Sequence, residues 1–149
     1  MPTDIKIKIN SIILASDHAG YKLKEEIKNF LMKKKLKVLD LGTYDKNSVD
    51  YPDYAHRLSN RIHKTKKNFG ILLCGSGIGM SITANRYKNV RAALCHNVKS
   101  AKLSRKHNNA NVLTIGARLT KKKMALKCVN AFINTNFTGG RHLRRINKI

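Results

Sequence analysis

One cysteine stands where an apolar run meets a run of glycines. Ile71, Leu72 and Leu73 read as a buried parallel strand, and Cys74 closes it. Gly75, Ser76, Gly77, Ile78 and Gly79 follow as a turn whose backbone can face a ligand with few Cβ atoms in the way. From Ile78 the spacing becomes helical, with Ile78, Ile82 and Asn85 near one face. A strand, a glycine turn and a helix start in series direct free N–H groups and the positive end of a helix dipole at one point. The chemistry this suggests is capture of a small anion beside a thiol. For Cys74 alone the competing reading is an inert buried side chain, which is the reading for Cys95 and Cys128.

Two other glycine motifs fail. A dinucleotide loop would need glycine where Met80 stands and an acidic residue about 20 positions on. A P-loop would need a Gly-Lys-Ser/Thr ending, and none follows. Neither a nicotinamide nor a nucleotide is therefore expected in the turn. The chain carries a formal charge of +23, with 10 basic and 8 acidic residues up to Asp53 and no Asp or Glu beyond it. Any carboxylate that moves a proton must come from the first part. In the second part that work falls to Cys, His, Tyr or Lys.

The elements that must position these groups alternate. Ile12–Ala15 reads as a buried strand running into Ser16-Asp17-His18-Ala19-Gly20, then a helix with Leu23, Ile27, Phe30 and Leu31 at helical spacing. Asp17 and His18 thus fall just past the C-terminal end of a strand, the edge where open α/β sheets bind ligands. Asp17 suits a helix cap there as well as catalysis. A second strand spans Lys37–Leu41. The polar loop after Gly42 leads through Asp50-Tyr51-Pro52-Asp53 into a helix bearing Ala55, Leu58 and Ile62. Tyr51 is either a packed loop aromatic or a side chain reaching toward the Cys74 turn. Val90–Leu94 and Asn111–Ile115 are the last strands, separated by a helix from about Val98 to Lys106 and by His107-Asn108-Asn109. Arg118 follows the fifth strand at the Cys74 edge. A helix from about Thr120 to Asn134 is expected to bury Leu126, Val129 and Ile133, and a short final helix carries Arg141 and Arg145 at i, i+4. Right-handed crossovers make this a single α/β domain over residues 11–149, a doubly wound parallel sheet of five strands, preceded by an extension over residues 1–10. His107 lies at the far edge from Cys74. It is either a helix C-terminal cap or a group supplied to a second subunit's site.

Five pieces of the chain, in order and at matching spacing, resemble a known family: SDHAG at 16–20, DYP at 50–52, GILLCGSGIGMSITAN at 70–85, SRKHNNANVLTIGAR at 104–118 and GGRHLRR at 139–145. The family is that of the B-type ribose-5-phosphate isomerases, which also holds the galactose-6-phosphate and allose-6-phosphate isomerases. The resemblance implies a Rossmann-like αβα sandwich that acts as a homodimer, or as a tetramer, without a metal or other cofactor. It implies interconversion of ribose 5-phosphate and ribulose 5-phosphate, a step of the pentose phosphate pathway. Cys74 would be the base that moves a proton between C2 and C1, and His107 would open the furanose ring. Gly75 through Gly79, with Ser76, would hold the enediolate oxygens. Asn108 would bind substrate hydroxyls or the enediolate. Asp17, His18 and Tyr51 would line the site, with Asp17 and Ser76 counted among the catalytic groups. Arg118, Arg141 and Arg145 would hold sugar or phosphate. Asn109 departs from the Asp expected in many relatives and bears on how His107 is held. A six-carbon sugar phosphate is the alternative substrate.

The three cysteines form no paired framework, no apolar run is long enough to span a membrane, and the first residues lack the apolar core of a signal peptide. A cytoplasmic setting is the expectation. The basic second part could also draw nucleic acid. Its lysines, however, cluster apart from the aromatics that single-strand binders use, so at most non-specific adhesion is expected.

Overall fold

The computed structural model describes residues 11–149; the extension predicted over residues 1–10 lies outside them. The elements are β1 (Ser11–Ser16), α1 (Tyr21–Lys33), β2 (Val38–Asp40), α2 (Tyr51–Lys64), β3 (Asn68–Cys74), α3 (Ile78–Ala84), β4 (Ala92–Leu94), α4 (Val98–Asn108), β5 (Val112–Gly116), α5 (Lys122–Asn134) and α6 (Arg141–Ile146). The five strands form one parallel sheet in the order β2-β1-β3-β5-β4. The central strands β1, β3 and β5 are buried almost throughout, because helices cover both faces, and this is why they read as unbroken apolar runs. One apolar cluster lies beneath α1, α4 and α5, built on Ile27, Leu31, Leu113, Val129 and Phe132. The other lies beneath α2 and α3, built on Ala55, Leu58, Ile62, Leu72 and Met80.

The crossover after β1 leads outward to β2, and the crossover after β3 leads the opposite way to β4. The ends of these adjacent strands therefore diverge. A crevice opens between them at the C-terminal edge of the sheet, where open α/β folds place their ligands.

Several boundaries and faces differ from the sequence expectations. The fourth strand is a three-residue edge strand, half-buried, rather than the full Val90–Leu94. The fourth helix runs through His107 and Asn108, so both sit in its last turn. In α3 the shared face of Ile78 and Ile82 is the outward one, at 50% and 63% exposure, and Met80 and Ala84 are buried. In α5 Val129 is buried as expected, but Leu126 and Ile133 only flank a core made by Ala125, Cys128 and Phe132.

Candidate active site

Cys74 is the last residue of β3, paired in register with Gly116. Its side chain is 4% exposed, and its Sγ accepts the Gly77 N–H at 3.1 Å. The turn that follows is set by Gly77, whose φ of +77° is left-handed. A Cβ there would stand 2.7 Å from Leu94 Cδ1 and 2.8 Å from the backbone N of Gly116, so only glycine fits. Ser76 Oγ accepts the Ile78 N–H at 3.2 Å. The N–H groups of Ser76 and Gly79 take no part in these bonds. They sit before or within the first turn of α3, which has no intrahelical acceptor to offer them. The thiol thus shares a small concavity with main-chain donors, an arrangement able to steady a negative charge that develops beside the sulfur.

Three neighbouring loops complete this edge. Asp17 follows β1; its backbone N–H donates to the Leu73 carbonyl at 3.2 Å, one residue before the cysteine. Asp17 is 6% exposed and its Oδ1 accepts the Gly20 N–H at 3.0 Å; Gly20 is itself the N-cap of α1, which has no side-chain cap, so Asp17 ties down the turn before the helix and does not cap it. His18 accepts the Val49 N–H at Nδ1, 3.1 Å away, which leaves Nε2 as the donor nitrogen of the neutral ring. Tyr51 opens α2 and its ring lies over the glycine turn. A Cβ on Gly79 would stand 2.8 Å from the Tyr51 hydroxyl oxygen and closer still to the ring. Of the two readings of Tyr51, the ring reaching toward the Cys74 turn describes its position. Arg118, exposed, donates its N–H to the Gly75 carbonyl at 3.0 Å, and its Nη1 would be 3.1 Å from a Cβ on Gly75.

The loop that meets His18 is anchored at the outer edge of the sheet. Lys24 is fully buried and its Nζ lies 2.6 Å from Asp40 Oδ2, with Lys28 on the same oxygen at 3.0 Å. Asp40 Oδ1 accepts the Gly42 N–H at 2.9 Å, and Gly42 and Thr43 bond the backbone of Ser16 at 2.7 and 2.8 Å. Burial would raise the Asp40 pKa, but hydrogen bonds from Lys24, Gly42 and Lys28 outweigh it and hold the carboxyl below its ordinary value.

The remaining predicted residues lie elsewhere. α4 starts past the C-terminal end of β4 and returns to the start of β5. Its eleven residues carry His107 and Asn108 about 15 Å toward the opposite sheet edge. There His107 stacks on His142 of α6, ring centroids 4.2 Å apart, while Arg141 and Arg145 are exposed on the same short helix. One chain therefore holds Asp17, His18, Tyr51, Cys74 to Gly79 and Arg118 at one edge. It holds His107, Asn108, Arg141 and Arg145 at the other.

Sequence reasoning missed two features of the second group. His142 lies in the GGRHLRR stretch, and its partner is visible only once α6 packs on α4. Partial desolvation, with the charges of His107, Arg141 and Arg145 beside it, lowers its pKa. The other is an arginine brace. Arg105, 1% exposed, donates from Nε to the Thr135 carbonyl at 3.1 Å and from Nη1 to Asn109 Oδ1 at 3.0 Å. Arg91 Nε donates to the carbonyls of Asn108 and Asn109 at 3.1 and 3.0 Å. Asn109 itself ends α4 in the left-handed conformation that Asn tolerates (φ +46°). The helix end bearing His107 is therefore braced by two guanidinium groups. Burial, with Arg91 nearby, pushes the Arg105 pKa down to about 10, so it stays charged at neutral pH.

A family model described as Ribose/Galactose Isomerase matches residues 12–149. A putative sugar phosphate isomerase of Rickettsia conorii is 46% identical over 143 residues, covering 96% of this chain and 99% of that one. A crystal structure of a Thermotoga maritima ribose 5-phosphate isomerase superposes with a TM-score of 0.90 at 52% identity, covering 93% of this chain and 95% of that one. The structure of ribose-5-phosphate isomerase B from Mycoplasma genitalium, with bound ribulose-5-phosphate, superposes with a TM-score of 0.90 at 44% identity over 93% and 92% of the two chains. With nearly the whole chain matched at this level, the protein belongs to the ribose/galactose isomerase family.

Proposed function

We propose that this chain interconverts ribose 5-phosphate and ribulose 5-phosphate in a homodimer whose two sites each draw residues from both subunits. The observation that carries this reading is the division of the candidate residues: the thiol and its main-chain donors at one sheet edge, His107 and two arginines at the other. A single chain cannot bring them together. A second copy, turned to lay its α4–α6 end against the Cys74 crevice, supplies the missing half. Ile78, Ile82 and Leu119, all at least 50% exposed around the glycine turn, offer apolar surface for that contact.

In this reading His107 of one subunit opens the furanose by moving a proton between the ring oxygen and the C1 hydroxyl. Cys74 of the other, as thiolate, then takes the proton from C2 of the open aldose. The electron pair passes through C1 to the carbonyl oxygen, giving an enediolate held by the N–H groups of the turn and by Ser76. The O2 proton then passes to O1, and return of the Cys74 proton to C1, with the carbonyl now at C2, yields the ketose. The Gly77 N–H on Sγ holds the sulfur at the mouth of the turn, beside the donors that the enediolate needs. A missing oxyanion donor typically costs roughly 3–4 kcal/mol, so the turn contributes as much as the base. Arg118, Arg141 and Arg145 hold sugar or phosphate, a planar guanidinium binding two phosphate oxygens at once. Asp17, His18 and Tyr51 position the open chain, and Asn108 binds its hydroxyls.

The test is turnover of ribose 5-phosphate against allose 6-phosphate and galactose 6-phosphate, for wild type and Cys74→Ser. Preference for the pentose, lost by about 1,000-fold or more in the serine variant, is expected, because an alcohol is a far weaker acid than a thiol. Preference for a hexose, or full activity in Cys74→Ser, contradicts the proposal.

A further inference from the structure

Away from these residues, an open groove of about 1320 Å³ runs between α1, α4 and α5. It exceeds the roughly 300–1,000 Å³ of a typical small-molecule site. Five lysines line it: Lys34 at the end of α1, Lys102 and Lys106 on α4, and Lys123 and Lys127 on α5. No Asp or Glu lines it, and among the described residues none of the five makes an ion pair, whereas Lys122 just outside is 2.8 Å from Glu26. Val98 and Leu126 add apolar surface, Phe137 contributes an aromatic ring, and Phe30 packs on the core beneath Lys34, whose Nζ is 5.0 Å from its ring centroid.

We propose that this groove binds single-stranded nucleic acid. Along the sequence the lysines stand apart from aromatics; the fold brings lysines of three helices alongside Phe137, the pairing of backbone-tracking cations and a stacking ring that single strands use. Like charges lining one groove repel each other, and a compact anion could meet only some of them. A linear chain of phosphates meets all five. The groove has no arginine, the residue that best matches a carboxylate, which favours phosphates over an acidic peptide. Residues 1–10 carry the wrong charge, two lysines against one aspartate, and a second copy has only 8 acidic residues against 31 basic ones to set against five lysines. None of the candidate active-site residues lines the groove, so binding there and isomerisation are separable.

Binding of a fluorescein-labelled 20-residue single-stranded RNA to the full chain, read by anisotropy across a salt series, tests this. A variant with Lys34, Lys102, Lys123 and Lys127 changed to Gln should lose at least tenfold in affinity, and its slope of log K against log salt should flatten by about 3. A control with Lys64, Lys66, Lys67 and Lys88 changed to Gln has the same net charge and should stay within about threefold of wild type, the residual reflecting long-range charge. Phe137→Ala should weaken binding about tenfold without altering the slope. Retained ribose 5-phosphate turnover verifies that each variant is folded. Equal losses in groove and control variants overturn the proposal. So do displacement of the RNA by polyglutamate as readily as by unlabelled RNA, and absence of wild-type binding at about 150 mM salt.

Discussion

His107 and His142 stack face to face, their ring planes 13° from parallel. A charge on His107 opposes a second charge on His142 across that contact. His142, desolvated in part and facing His107, Arg141 and Arg145, should titrate below the ordinary histidine value. Its folded pKa is the lower one, so its charging opposes folding as pH falls through the ordinary histidine range. NMR titration of the ring protons should show the depressed midpoint, and His107→Ala should move it upward. An unchanged midpoint in that variant would remove the coupling.

The contact of Tyr51 with Gly79 makes a second prediction. A methyl group at 79 would collide with the Tyr51 ring, so Gly79→Ala should cost about 1–3 kcal/mol of stability as an overpacked contact. Turnover should fall as well, since the turn that carries Cys74 must shift. Truncating the ring should relieve the collision: Gly79→Ala with Tyr51→Ala should be more stable than Gly79→Ala alone. Thermal melts of the three variants read this directly, and additive losses would show that the two residues do not meet.

At the outer edge of the sheet, Asp40 neutralises the buried Lys24 and also holds the loop that reaches His18. Asp40→Asn leaves that ammonium with only Glu25 as an acid partner and should cost about 3 kcal/mol, the scale for breaking a buried pair. The sign with pH follows from the lowered Asp40 pKa. The contribution is complete above the ordinary carboxylate value and disappears as pH falls through the lower, folded one. Urea unfolding at neutral and acidic pH should therefore show a difference between wild type and Asp40→Asn that shrinks in acid. A constant gap would contradict it.

Much of this was legible in the chain because burial on both faces writes β1, β3 and β5 as plain apolar runs. Cys74 and Asp17 could be placed because each follows such a run. The edge strand β4 was less legible: with one side unpaired it needs only three residues. Which way α3 faces could not be read from spacing alone. Ile78 and Ile82 follow helical spacing, but they face outward, beside the crevice, where apolar side chains await another surface. His142 and Arg105 could not be found by spacing, since what matters for each is a contact across α4, α5 and α6.

The central claim is that no single chain owns a whole site, and subunit mixing tests it most directly. Cys74→Ala and His107→Ala chains, each inactive alone, are co-refolded in equal amounts and assayed with ribose 5-phosphate. A shared site requires the mixture to recover about a quarter of wild-type activity, because half of the dimers are mixed and each of those has one intact site. A mixture as inactive as its two components would contradict the account.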